Sequence, residues 1–220
     1  MLATALCICL LCATFALIFN IAVHDPEFKE ITVTKADRIY FAAYMAVFSV
    51  ILIRLPFFSK LYAAIALPVL LVSAYTDKKT KLLYKIVFYV LAPLSIVMET
   101  LQASFQIQNG VLSFSFQPSF QTLPVIILVS IVGLLKMYGN GDKGMAVICG
   151  CIWYLMFPER GWAEAALVEC IMIMISQITF YLRAVKEKNL ETVFKLKEAR
   201  PLGPDLLLAT VIMLSGGCFL

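Results

Sequence analysis

The sequence predicts an all-α fold, a polytopic membrane bundle of about eight transmembrane helices. Three observations lead there. The 220 residues are 62% hydrophobic, against about 45–50% apolar in soluble domains, and the mean hydropathy is +0.92. Charged residues make up only 15% and sit in clumps between long apolar runs. Those runs are continuous rather than alternating, and several approach the roughly 20 residues a helix needs to cross the hydrocarbon core. Lipid offers the backbone no hydrogen-bond partners, so only helices or closed barrels can span it, and unbroken apolar runs select helices.

The expected spans are 1–23, 39–55, 57–76, 82–98, 121–137, 144–158, 162–182 and 205–220. The first has no basic n-region and exceeds a signal-peptide core in length, so it reads as a retained helix. Pro56 marks a tight turn between the second and third, and 144–158 is short for a crossing. Basic residues orient the set. Of the 18 Lys and Arg, fifteen fall in the alternate gaps 24–38, 77–85, 136–143 and 183–204, leaving only Arg54, Lys60 and Arg160 for the others. The basic gaps face the cytoplasm by the positive-inside rule, and both termini face outward.

That distribution also accounts for the net charge of +4, which calls for no nucleic-acid partner. The lysines of 78–85 and 183–200 are placed to meet anionic lipid headgroups. The segment 183–200 reads as an amphipathic surface helix or a solvated connector, broken by Pro201 and Pro204 before the last span. His24, the single histidine, falls at an interfacial helix end, and Glu99 marks an outer one. Glu169 lies deepest on the seventh span and must face other helices or a wet cavity, for structural pairing or for function. The outer segment 99–121, rich in Gln, Ser and Phe, carries no chemical motif.

Two carboxylates carry the chemical argument. Asp77, in "LLVSAYTDKKTKLLYK", lies at the end of the third span; Asp142, in "KMYGNGDKGMAVICG", lies at the end of the fifth or the start of the sixth. The inferred topology puts both at the cytoplasmic boundary. One such acid is as easily a solvated loop charge, but ionisable groups at membrane depth are functional candidates. Gly139 and Gly141 beside Asp142 lack Cβ atoms and let a substrate backbone approach. Gly-Asn-Gly also serves as a plain turn.

Three segments in order resemble the type IV prepilin peptidases, membrane aspartyl proteases of the G-x-G-D class. "AYTDKKTKLL" (74–83) looks like the first catalytic-aspartate segment, and "GNGDKGMAVICG" (139–150) like the second, with Gly150 eight residues past the Asp. "RPLGPDLLLA" (200–209) looks like the Pro-Phe-Gly-Pro segment opening the last helix, with Leu202 in place of Phe. The resemblance implies two N-terminal transmembrane helices over 1–56 and a six-helix peptidase core over 57–220. It implies Asp77 and Asp142 as the catalytic pair, with Gly139, Gly141, Pro201, Gly203 and Pro204 shaping backbone approach. Two departures stand out. Lys143 follows the second Asp directly, where the family's basic residue comes one position later, and Asp205 occupies a position the family keeps apolar.

The longer members of that family add a loop with two C-x-x-C pairs of zinc-like spacing and an N-methylating activity. The seven cysteines here (Cys7, Cys9, Cys12, Cys149, Cys151, Cys170 and Cys218) fall inside the spans and form no such pairs. The expectation is the short form, with no metal, no cofactor and no methyltransferase. The implied substrate is a prepilin or pilin-like secretion subunit whose basic leader is removed at the cytoplasmic face of the cell membrane. The implied chemistry is direct addition of water, with one carboxylate drawing its proton and the other carboxyl holding the scissile carbonyl. A presenilin-like protease shares G-x-G-D but carries Tyr-Asp and Pro-Ala-Leu, where this chain has Thr76-Asp77 and Pro-Leu-Gly-Pro. A catalytically lapsed member remains an alternative, as does a transporter or assembly partner; transport predicts inverted repeats and helices broken at mid-membrane, which the sequence does not display.

Overall fold

The computed structural model describes residues 2–25, 31–80, 85–108, 111–132, 140–157 and 203–219, with part of 163–185. Seven helices have described bounds: α1 (Leu2–His24), α2 (Lys35–Arg54), α3 (Phe57–Thr80), α4 (Lys85–Ser104), α5 (Thr122–Val132), α6 (Asn140–Met156) and α7 (Gly203–Phe219). The described residues within 163–185 are helical as well. The only sheet among the described residues is a two-stranded antiparallel ribbon, β1 (Phe105–Gln108) with β2 (Val111–Phe114), in register Phe105↔Phe114 to Gln108↔Val111. The fold is all-α with that one ribbon added.

Among the described residues, α1, α2 and α3 are long and apolar enough to cross a membrane, while α4, α6 and α7 contribute shorter apolar stretches. The expected spans coincide with helices from the first to the sixth and at the last, with shifted edges. The fourth runs on to Ser104, past its expected end at 98, because residues 99–104 pack against the segment leading into α5 instead of meeting solvent. The sixth begins at Asn140, four residues before its apolar run, since a first helical turn accommodates polar residues. The residues after Val132 in the expected fifth span, and part of the seventh including Glu169, lie outside the described residues. The ribbon was not expected, although the alternating "FQIQ" and "VLSF" flank Asn109-Gly110, a hairpin signal.

α3 is the central helix, and its composition explains why. Ala63, Ala64, Ala66, Ala74 and Ser73 are buried along it, and small residues let neighbouring backbones approach closely where lipid supplies no hydrophobic drive between helices. α1, α2, α4, α6 and α7 all pack against it. The core is continuous, joining Cys7 and Leu11 of α1, Phe41 and Phe48 of α2, Leu67 and Leu71 of α3, Ile148 and Ile152 of α6, and Leu206 of α7. Leu6, Leu17 and Ile21 of α1 and Val50 and Ile53 of α2 remain exposed.

The cross-contacts define two ends of the bundle. At one, Lys60 Nζ donates to Thr4 Oγ1 at 2.8 Å, and the Ser59 hydroxyl reaches the Leu155 carbonyl and, at 3.1 Å, Gln102 Oε1. Tyr154 donates to Gln121 Oε1 at 2.8 Å at the same end. Glu99 is buried there and gathers four donors: the Ser119 hydroxyl, the Gln121 N–H (2.8 Å), the Thr122 N–H (2.9 Å) and the Thr122 hydroxyl (2.8 Å). It does not mark a helix end. It caps the N-terminus of α5, whose first N–H groups have no partner within their own helix. Phe58 and Phe105 stack nearby with centroids 5.5 Å apart, and Phe105 meets Phe114 at 4.9 Å, seating the ribbon on the start of α3.

Candidate functional site

The opposite end holds the last turns of α3 and the first turns of α2 and α7. Helical geometry sets which residue looks where. With about 100° between successive residues, Tyr75 and Lys79 share one side of α3, while Ala74 and Asp77 share the other. Tyr75 and Lys79 face α2; Ala74 and Asp77 face α7.

Asp77 is buried, and its Oδ2 accepts the backbone N–H of Gly203 at 2.8 Å. Gly203 opens α7, so its N–H is one of the orphan donors of a helix start. The approach is close and favours glycine: a Cβ at 203 would lie 3.0 Å from Asp77 Oδ2 and 3.2 Å from the Ala74 Cα. Pro204 follows inside the first turn, buried, where a missing N–H costs nothing. Asp205, one residue further, is 0% exposed. It acts electrostatically on the Tyr44 hydroxyl of α2. A second carboxyl therefore enters the buried ground beside the N-terminus of α7, whose dipole favours negative charge.

The α2 side is equally built. Thr34 and Asp37 form a capping box: Asp37 N–H donates to Thr34 Oγ1 at 3.2 Å, and the Thr34 N–H donates back to Asp37 Oδ2 at 2.9 Å. The same Oδ2 accepts the Thr34 hydroxyl at 2.8 Å and the Tyr75 hydroxyl at 3.1 Å, and pairs with Lys79 Nζ at 3.4 Å. Lys79 Nζ sits 5.6 Å from the Tyr75 ring centroid. Phe41 meets the same ring edge-on at 4.7 Å, and Phe19 of α1 lies at 6.5 Å. Asp37 precedes the apolar stretch of its helix. The Thr34 backbone N–H, ahead of the Thr34, Tyr75 and Lys79 side chains, holds its carboxyl well below the usual range, at about 2, against the opposing effect of desolvation.

The predicted site residues fare differently. Asp77, Gly203 and Pro204 come together as described, whereas Gly139 and Pro201 lie outside the described residues. Gly141 and Asp142 occupy the first turn of α6, and the Asp142 side chain lies outside what is described. Their backbone level follows from neighbouring contacts. α6 packs against both α3 and α7, and its Leu155 meets Ser59 of α3, so α3 and α6 run antiparallel. Asp77 lies eighteen residues beyond Ser59 and Asp142 thirteen before Leu155. At 1.5 Å per residue those are about 27 Å and about 20 Å along straight helices. The first turn of α6 thus starts at the end of the bundle that carries Asp77.

Sequence reasoning missed the cluster of Asp37, Tyr75 and Lys79. Half of its signal was legible, since "TKAD" ahead of an apolar run has the spacing of a capping box. The reach of Tyr75 to Asp37, 38 positions away, was not. Comparison of the chain with protein-family profiles, curated proteins and solved structures returns no match.

Proposed function

We propose that this chain is a multi-pass membrane protein with about eight transmembrane helices and acts as an aspartic endopeptidase of the type IV prepilin peptidase kind. On this reading it removes the basic leader of a prepilin or pilin-like secretion subunit at the cytoplasmic face of the cell membrane. Asp77 and Asp142 are the catalytic pair, one drawing a proton from water and the other holding the scissile carbonyl.

The observation that carries the reading is the contact between Asp77 and Gly203. It joins the first aspartate segment to the Pro-Leu-Gly-Pro segment, two of the three stretches on which the resemblance rests, across 126 residues of sequence. The antiparallel run of α3 and α6 supports it further, because the third stretch opens α6 at that same end. Fifteen of eighteen basic residues falling in alternate gaps supports the cytoplasmic assignment of that end.

A structural reading of Asp77 competes on one specific ground: the carboxylate already serves as the cap of α7. The two readings part on Asp77→Asn, which keeps an acceptor for the Gly203 N–H and removes the acid. The test is co-expression with a pilin-like substrate, following leader removal by mass shift. Loss of cleavage in both Asp77→Asn and Asp142→Asn, with the protein still folded, is the expected result. Undiminished processing by either variant ends the protease reading.

A further inference from the structure

α3 ends between two partners on opposite sides. On one, Asp37 Oδ2 of α2 takes the Tyr75 hydroxyl and Lys79 Nζ; on the other, the Asp77 carboxylate takes the Gly203 N–H of α7. Tyr75 and Asp77 are two positions apart, about 200° around the helix. A helix terminus frays by itself, since its last carbonyls lack intrahelical partners. Contacts from neighbouring helices therefore help to fix the rotation of these turns.

The Asp37 grip is suited to that task. It is anchored in its own helix by the capping box with Thr34, so it cannot follow a drifting α3 without undoing the start of α2. It holds α3 at two points one helical turn apart, Tyr75 and Lys79, which resists rotation as well as translation. Phe41 and Phe19 pack against the Tyr75 ring and leave it little room for another rotamer. The start of α7 meets Ala74 and Asp77, on the other side of the helix.

We infer that Asp37 is a positioning residue for Asp77: α2 sets the rotation of the last turns of α3 and thereby the aim of the Asp77 carboxylate at the N-terminus of α7. The two N-terminal helices then belong to the working site although they supply no reacting group. The catalytic part of this inference rests on the proposed peptidase reading; the mechanical part does not.

Residue-resolved amide exchange on the full chain in nanodiscs separates the two. Gly203 is the reporter, because its N–H is held by the Asp77 carboxylate. Asp37→Asn is expected to speed exchange at Gly203 roughly tenfold, the scale of a weakened charge-assisted hydrogen bond. Asp37→Asn also weakens the capping box, so Tyr75→Phe combined with Lys79→Gln provides the cleaner variant: it leaves Thr34 and Asp37 paired and should still speed Gly203 exchange. In leader cleavage the same double variant should lower kcat with little change in KM. Unchanged exchange at Gly203 in the double variant, with only the first turn of α2 affected in Asp37→Asn, would overturn the inference and leave Asp37 a local cap. Faster Gly203 exchange in the double variant, with a wild-type chain that cleaves no leader, would uphold the mechanical coupling and remove the peptidase reading alone.

Discussion

Asp77 and Gly203, 126 positions apart, meet through a 2.8 Å hydrogen bond in which a buried side-chain oxygen of one helix takes the first N–H of another. A single atom thus serves two ends: it closes the N-terminus of α7 and it keeps a carboxylate at a helix start, where the local dipole favours negative charge. Its substitutions sort by which of these they remove.

Asp77→Asn retains a side-chain oxygen for Gly203 and should unfold close to wild type, whereas Asp77→Ala leaves a buried N–H without its acceptor. The alanine variant should lose about 2 kcal/mol relative to the asparagine variant. Thermal unfolding in detergent compares them, and equal losses would show that the contact contributes little to the fold.

Gly203→Ala places a methyl 3.0 Å from Asp77 Oδ2 and 3.2 Å from the Ala74 Cα. The backbone contact yields less easily than a flexible side chain would, so α3 and α7 must shift slightly, at a cost of about 1–3 kcal/mol. Gly216→Ala is the internal control. Nothing lies within 4 Å of its added methyl, and inside a helix the change should be neutral or slightly stabilising. Matching unfolding curves for the two variants would contradict the close approach.

Glu99 holds four donors at the other end of the bundle. Glu99→Gln keeps the shape but turns one acceptor oxygen into a donor amide facing donors already in place. A loss of about 2–4 kcal/mol is expected, with faster exchange at the Gln121 and Thr122 amides and no change at Gly203. An equal response at Gly203 would show that the two ends are not independent.

The Asp37 carboxyl, held at about 2, gives a pH signature of known sign. A folded-state value below the unfolded one, about 3.9, means the carboxylate contributes stability above pH 4 that is lost as the pH falls toward 2. The stability difference between wild type and Asp37→Asn should therefore stay flat from pH 5 to 8 and shrink below pH 4. A difference that changes between pH 6 and 8 would assign the effect to another group.

Legibility followed the range of the interactions. α1, α2 and α3 were readable because each is a long apolar run, and a bilayer-length run admits few other structures. Their edges were less so: Asn140 and Gly203 begin helices ahead of the apolar stretch, where first turns carry polar residues without penalty. Asp77 stood out as an acid at the close of an apolar run, but its contact with Gly203 depends on how α3 and α7 pack and has no local signature. Glu99 shows the same limit. In sequence it resembles a boundary charge, and only the return of Ser119 and Thr122 across the ribbon makes it a buried cap. Asp205 beside Tyr44 likewise depends on α2 and α7 lying side by side.

The Gly203 contact also imposes an order of events on biosynthesis. The ribosome delivers Asp77 long before Gly203, so while α3 through α6 are being inserted the acid lacks the partner that will fix it. α7 completes the arrangement on arrival, and a chain that stalls before it carries the acid in an unfinished setting. Assembly of this end of the molecule is thus tied to translation passing Gly203.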